Sequence, residues 1–225
     1  MAKTKNDLPK YLKRWGLFDN MQAIPSQTRL QFYQSLKHGK IGEGLIANWL
    51  KSRGWHIQPV YEKEMHTGKG PQIYTASNTQ LIAPDMLVFN ELGRFKWVEA
   101  KTKSAFSWNR VLGVWVTGID LRHYKDYLEV SRLSTLPVCL MFLHLDGEAK
   151  DTPSGMVSPT GLYYGEITYL SKNESHRSDK WANGMVYWGC DTLKKIADLH
   201  EVLSKSGIYQ GQQQVPTPAL GNFAQ

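Results

Sequence analysis

An α/β fold, with a central mixed β-sheet flanked by helices, is predicted by three observations. Helix-like and strand-like hydrophobic patterns follow one another in "KIGEGLIANWLKSRGWHIQPV", residues 40–60. The run "PVCLMFLHL", 137–145, is near-continuously apolar, as in a strand covered on both faces. Between them, "IAPDMLVFNELGRFKWVEAK", 82–101, reads as a hairpin. The order helix, strand, hairpin, helix, strand, further strands, helix then implies a sheet with helices on both faces.

Each element has its own signal. Residues 28–53 carry Leu30, Tyr33, Ile41, Leu45, Trp49 and Leu50 at largely helical spacing, and Gly54 is a natural C-terminal stop. Gly39, Gly42 and Gly44 weaken the middle of this helix, marking either a break near residue 39 or a close approach. "WHIQPVYE", 55–62, reads as a strand, and "TASN" precedes the hairpin. The aromatic, Gly-punctuated stretch 104–118 reads as a long ordered loop or an irregular strand. A helix begins near Asp120, with Leu121, Tyr124 and Leu128 on one face. "GLYYGEITYL" and "GMVYWGC" supply later strands, and "DTLKKIADLHEVLSK" reads as an amphipathic helix capped by Asp191.

A chain of 225 residues suits one main core. The expected organisation is a basic arm over 1–26, one domain over 27–205, and a disordered Gln/Pro-rich tail over 206–225. No apolar run approaches the roughly 18 residues of a membrane span, and the N-terminal segment has no apolar stretch suited to a signal peptide. A cytoplasmic protein is expected. Cys139 and Cys190 lack CxxC spacing, which argues against a zinc knuckle or disulfide framework and for free buried thiols. The formal charge of +7 favours a polyanionic partner.

The hairpin holds an anomaly, because Asp85, Glu99 and Lys101 stand among Met, Val, Phe and Trp, where an unpartnered charge is costly. With "NELG" as the turn and Asn90 paired to Arg94, Asp85 falls opposite Glu99. Directly opposed residues have Cβ atoms about 4.5–5.5 Å apart, so two carboxylates share one small space. Glu99 and Lys101, two residues apart, project from the same face. Crowded carboxylates repel unless a proton or cation sits between them, and all-oxygen ligation suits Mg²⁺ or Mn²⁺. A plain structural ion pair on a solvated sheet face is the competing explanation.

Pro84-Asp85 followed by Glu99-Ala100-Lys101 resembles the active-site motif of the PD-(D/E)xK nuclease superfamily, the fold of many restriction enzymes and Holliday-junction resolvases. The resemblance covers roughly residues 38–145 and implies a restriction-endonuclease-like core. It implies that Asp85, Glu99 and the backbone carbonyl of Ala100 hold Mg²⁺, with Mn²⁺ able to substitute, and that Glu43 joins directly or through water. Lys101 would position the attacking water and stabilise transition-state charge, leaving a 5′-phosphate and a 3′-hydroxyl.

The same resemblance puts a polar residue of the next helix at the site, a place open to Arg122 or His123. DNA is the implied partner, with the chain working as a homodimer or within a larger nucleic-acid-processing complex. Lys40, Lys96, Lys103 and Arg110 are candidates to grip phosphates, and Phe106, Trp108 and Trp115 either stack on bases or pack a loop onto the core. His38 is as ambiguous as Lys40, and His66, His144, His176 and His200 have no ligand-like spacing. A catalytically inactive nucleic-acid-binding or assembly protein with the same fold is the alternative, and an unrelated basic α/β domain with an accidental motif is the third.

Overall fold

A computed structural model describes residues 26–60, 71–149, 152–179 and 183–205, with side chains described from residue 39 onward. The expected arm, the expected tail and His66 lie outside the described residues, as does the side chain of His38. Among the described residues, no helix is long and apolar enough to cross a membrane.

Helix α1 (Ser26–Ser52) runs unbroken through residue 39 and stops at Gly54, whose φ of 80° suits a glycine. Strand β1 (His56–Pro59) follows, then a small hairpin of β2 (Gln72–Tyr74) and β3 (Gln80–Ile82). Next come β4 (Met86–Phe89), β5 (Phe95–Lys103), β6 (Ser107–Asn109) and β7 (Val114–Asp120). Helix α2 (Leu121–Ser134) is capped by Asp120, whose side chain accepts from the Arg122 N–H. Then follow β8 (Val138–His144), β9 (Gly161–Glu166), a single turn α3 (Ile167–Leu170), β10 (His176–Ser178), β11 (Met185–Gly189), β12 (Lys194–Ala197) and α4 (Leu199–Ser204).

The central sheet has the order β1-β4-β5-β8-β9-β12; β5 and β8 run parallel, and the other neighbours are antiparallel. The mixed sheet flanked by helices is the α/β architecture the sequence predicts. Every residue of β8 is buried because alternate side chains enter two cores. Cys139, Met141 and Leu143 meet Leu45, Ile46, Trp49 and Leu50 of α1 on one side, with Val202 of α4. Val138, Leu140 and Phe142 meet Tyr124, Tyr127 and Val130 of α2 on the other. Both cysteines are free, Cys139 buried and Cys190 half-buried.

Three expectations are corrected. Residues 104–118 are neither loop nor irregular strand: they supply β6 and β7 to a second antiparallel sheet of order β10-β11-β7-β6, which packs on the α2 side through Trp188, Val186 and Trp115. The segment from Asp191 is not one helix. Its first half turns and forms the edge strand β12, and a bulge between Lys195 and Ala197 breaks the strand alternation, which makes the apolar spacing look helical. Ile41 is largely exposed, whereas Leu45, Ile46, Trp49 and Leu50 form the buried stripe of α1.

Candidate active site

The hairpin turn fixes the register on which the site depends. Asn90 N–H donates to the Arg94 carbonyl at 3.2 Å, and Gly93 N–H donates to the Asn90 carbonyl at 2.9 Å. The Asn90 side chain accepts from the N–H groups of Leu92 and Arg94, and Gly93 takes the left-handed conformation at φ 69°. A three-residue loop closing with a left-handed residue is a favoured hairpin connection. The pairs Phe89↔Phe95, Leu87↔Trp97 and Met86↔Val98 follow. One step further along, Asp85 faces Glu99, as the sequence predicts.

These two residues are tied reciprocally. Ala100 N–H donates to Asp85 Oδ2 at 2.9 Å, and Asp85 N–H donates to Glu99 Oε2 at 3.2 Å. Glu99 is 1% exposed, yet its carboxylate is well supplied, because Lys101 Nζ pairs with Oε1 and the buried Tyr127 hydroxyl also bonds to it. Burial, reinforced by the neighbouring Glu99 charge, pushes the Asp85 carboxyl up to about 7. Burial pulls the Lys101 ammonium down, but Glu99, Asp85 and Glu43 outweigh it and hold that group above its usual value. Lys101 is therefore a fixed cation at neutral pH and a poor proton acceptor.

Glu43 arrives from the opposite face of β5, and Gly42 explains how. A Cβ on Gly42 would lie 1.5 Å from Thr102 Oγ1, so α1 crosses β5 in contact at this glycine. This close approach, rather than a helix break, accounts for Gly42. Gly39 and Gly44 have open space around them, and nothing in the structure explains them. The helix sets Glu43 within the electrostatic reach of Lys101, while its carboxylate lies 3.6 Å from Lys40 Nζ. Among the described residues, no three His, Cys, Asp or Glu side chains form one ion-holding group. Glu43 thus stands apart from the Asp85 and Glu99 pair.

The other predicted residues divide. Lys103 follows Lys101 on the same face of β5, and burial, then Lys101, draws its ammonium down to about 8. His123, half-buried on α2, is lowered by burial and by the Lys101 charge, so its ring also neighbours the cluster. Arg122 is exposed beside it, and Arg110 is exposed in the turn joining β6 to β7.

Lys96 is not beside the cluster. It lies on the other face of β5, with Nζ 4.0 Å from the Trp55 ring centroid. Phe106 and Trp115 are buried, Phe106 stacked on His144 and Trp115 edge-on to Trp108, so these rings pack the core instead of offering faces to bases.

Tyr127 is the residue that sequence reasoning missed. It lies four residues after His123, and the two rings are 5.9 Å apart on one face of α2. That i, i+4 spacing was the available signal.

Known proteins add little to this geometry. No family model matches the chain, and no curated protein matches it in sequence. Solved structures do match, among them the 1.6 Å structure of Archaeoglobus fulgidus Hjc, a Holliday junction resolvase from an archaeal hyperthermophile. The TM-score is 0.41 at 10% identity, over 68% of this chain and 90% of that one. A likeness at this level assigns no function.

Proposed function

We propose that this chain is a nuclease that hydrolyses phosphodiester bonds of DNA with a divalent cation, Mg²⁺ or in its place Mn²⁺. The observation that carries the proposal is the opposition of Asp85 and Glu99 across β4 and β5, with Lys101 on the same face. Two carboxylates and the Ala100 carbonyl form an all-oxygen donor set suited to a hard dication. The raised Asp85 carboxyl fits as well, since burial and the neighbouring Glu99 charge both disfavour its anion and a cation offsets both.

Asp85, Glu99 and the Ala100 carbonyl would hold the ion, with Glu43 contributing through water. A bound divalent cation lowers the pKa of its water and neutralises charge on the phosphate. The remaining work falls to the chain. Lys101, kept charged by its acidic neighbours, aligns the attacking water and stabilises negative charge as it builds on the phosphate oxygens. Tyr127 fixes the Glu99 carboxylate through its hydroxyl. His123 flanks the cluster from α2, with Arg122 exposed beside it, and the excess of lysine and arginine draws the polyanion toward it.

The test is a panel of duplex, single-stranded, flapped and four-way DNA, with RNA alongside, incubated with purified protein and Mg²⁺ or Mn²⁺. Cleavage should appear with the dication and fall by at least about a hundredfold in Asp85→Ala, Glu99→Ala and Lys101→Ala. Undiminished cleavage in all three would overturn the assignment. Salt-sensitive DNA binding with no cleavage under any condition would favour the non-cleaving alternative.

A further inference from the structure

Where Lys103 follows Lys101 along β5, a cavity of about 130 Å³ opens between the end of that strand and the second sheet. Its wall includes Lys103, Ser107, Thr117, Gly118, Met185 and Tyr187, and no acidic side chain lines it. Gly118 is required by the packing of β7 on β11, since a Cβ there would lie 2.2 Å from the Val186 carbonyl oxygen. The pocket is therefore formed by fixed strands, not by a loop tip.

Lys103 is the unusual member. It is half-buried, its nearest charged influence is another cation, Lys101, and among the described residues no carboxylate pairs with it. An ammonium withdrawn from water without an anion is costly, and structures keep buried charges paired. The cavity beside it is large enough to admit a phosphate group in place of a few waters. Lys101 and Lys103 lie two residues apart on one strand face, about 6.6 Å along the chain. An anion in the cavity would be next in line after one at the reactive cluster.

We propose that this pocket is a phosphate subsite in which Lys103, with the hydroxyl residues Ser107 and Thr117 beside it, holds the backbone phosphate adjacent to the one at the Asp85 and Glu99 cluster. The inference rests on the nuclease reading for the identity of its ligand. The pocket itself does not depend on cleavage. Two cations in series along β5 give the strand a polarity: the DNA backbone is followed from the reacting phosphate toward the second sheet.

The test measures binding of one fixed duplex in EDTA, where hydrolysis is absent, over a range of salt concentrations. Loss of one phosphate contact should reduce the slope of log K against log salt by about 0.9 and weaken binding about fivefold at 0.15 M salt. That result is expected for Lys103→Met, with the wild-type slope restored in Lys103→Arg. Ser107→Asp, an exposed rim substitution that offers Lys103 a carboxylate, should show the same loss without touching the lysine, and guards against misfolding of the first variant. An unchanged slope in both Lys103→Met and Ser107→Asp overturns the subsite, even if the protein cleaves DNA. A reduced slope in a protein that never cleaves supports the subsite while the nuclease reading fails.

Discussion

Replacing Asp85 with asparagine should stabilise the metal-free protein, and the gain should grow with pH. Burial and the Glu99 charge raise the Asp85 carboxyl from 3.8 to about 7 in the folded state. Between those values the folded chain keeps a proton that the unfolded chain releases, so folding stability falls as pH rises through this window. The loss accumulates at about 1.4 kcal/mol per pH step at first and more slowly near pH 7, where the folded carboxyl is half ionised, giving about 2 kcal/mol between pH 5 and pH 7.

The Asp85→Asn substitution removes the titrating group and retains an oxygen to accept from the Ala100 N–H. The advantage of the variant over the wild type should therefore increase by about 2 kcal/mol across that interval, equivalent to roughly 4–8 °C in Tm for a chain of this size. Thermal unfolding of both proteins in EDTA at pH 5, 6 and 7 measures it. An advantage that stays constant or shrinks as pH rises would refute the claim that burial and the neighbouring Glu99 charge keep the Asp85 carboxyl protonated in the folded state. Adding Mg²⁺ at pH 7 should raise the Tm of the wild type and leave Asp85→Asn nearly unmoved.

Other consequences concern the supports of the cluster. Tyr127→Phe strips a donor from a carboxylate that is 1% exposed, so it should cost about 1–3 kcal/mol in denaturant unfolding and weaken Mn²⁺ affinity about tenfold or more by calorimetric titration. Gly42→Ala forces a methyl group into Thr102 Oγ1 and should destabilise by about 1–3 kcal/mol, with much of the loss recovered in the double variant with Thr102→Gly.

Much of the site was legible in the sequence because local rules specify it. Asn90 and Gly93 dictate a three-residue turn, the turn dictates the register, and the register opposes Asp85 to Glu99. Gly54 and Asp120 marked helix ends for the same local reason. What escaped was non-local. The strand β7 is recognisable only beside β11, some 70 residues later, and before that pairing is known its glycines suggest a loop. The strand β12 carries a bulge that imitates helical spacing, and pairing with β9 overrides the local pattern. Lys96 and Lys103 look equivalent in sequence. Strand alternation sends one to the Trp55 side and the other to the cluster side.

Asp85 and Glu99 must serve one cation together if the hairpin is a metal-holding device. Titrating Mn²⁺ into the wild type, Asp85→Asn and Glu99→Gln, and following free Mn²⁺ by electron paramagnetic resonance, tests this directly. Binding by the wild type, lost or weakened at least about tenfold in each variant, is the predicted result. Equal Mn²⁺ affinity in all three proteins would contradict it.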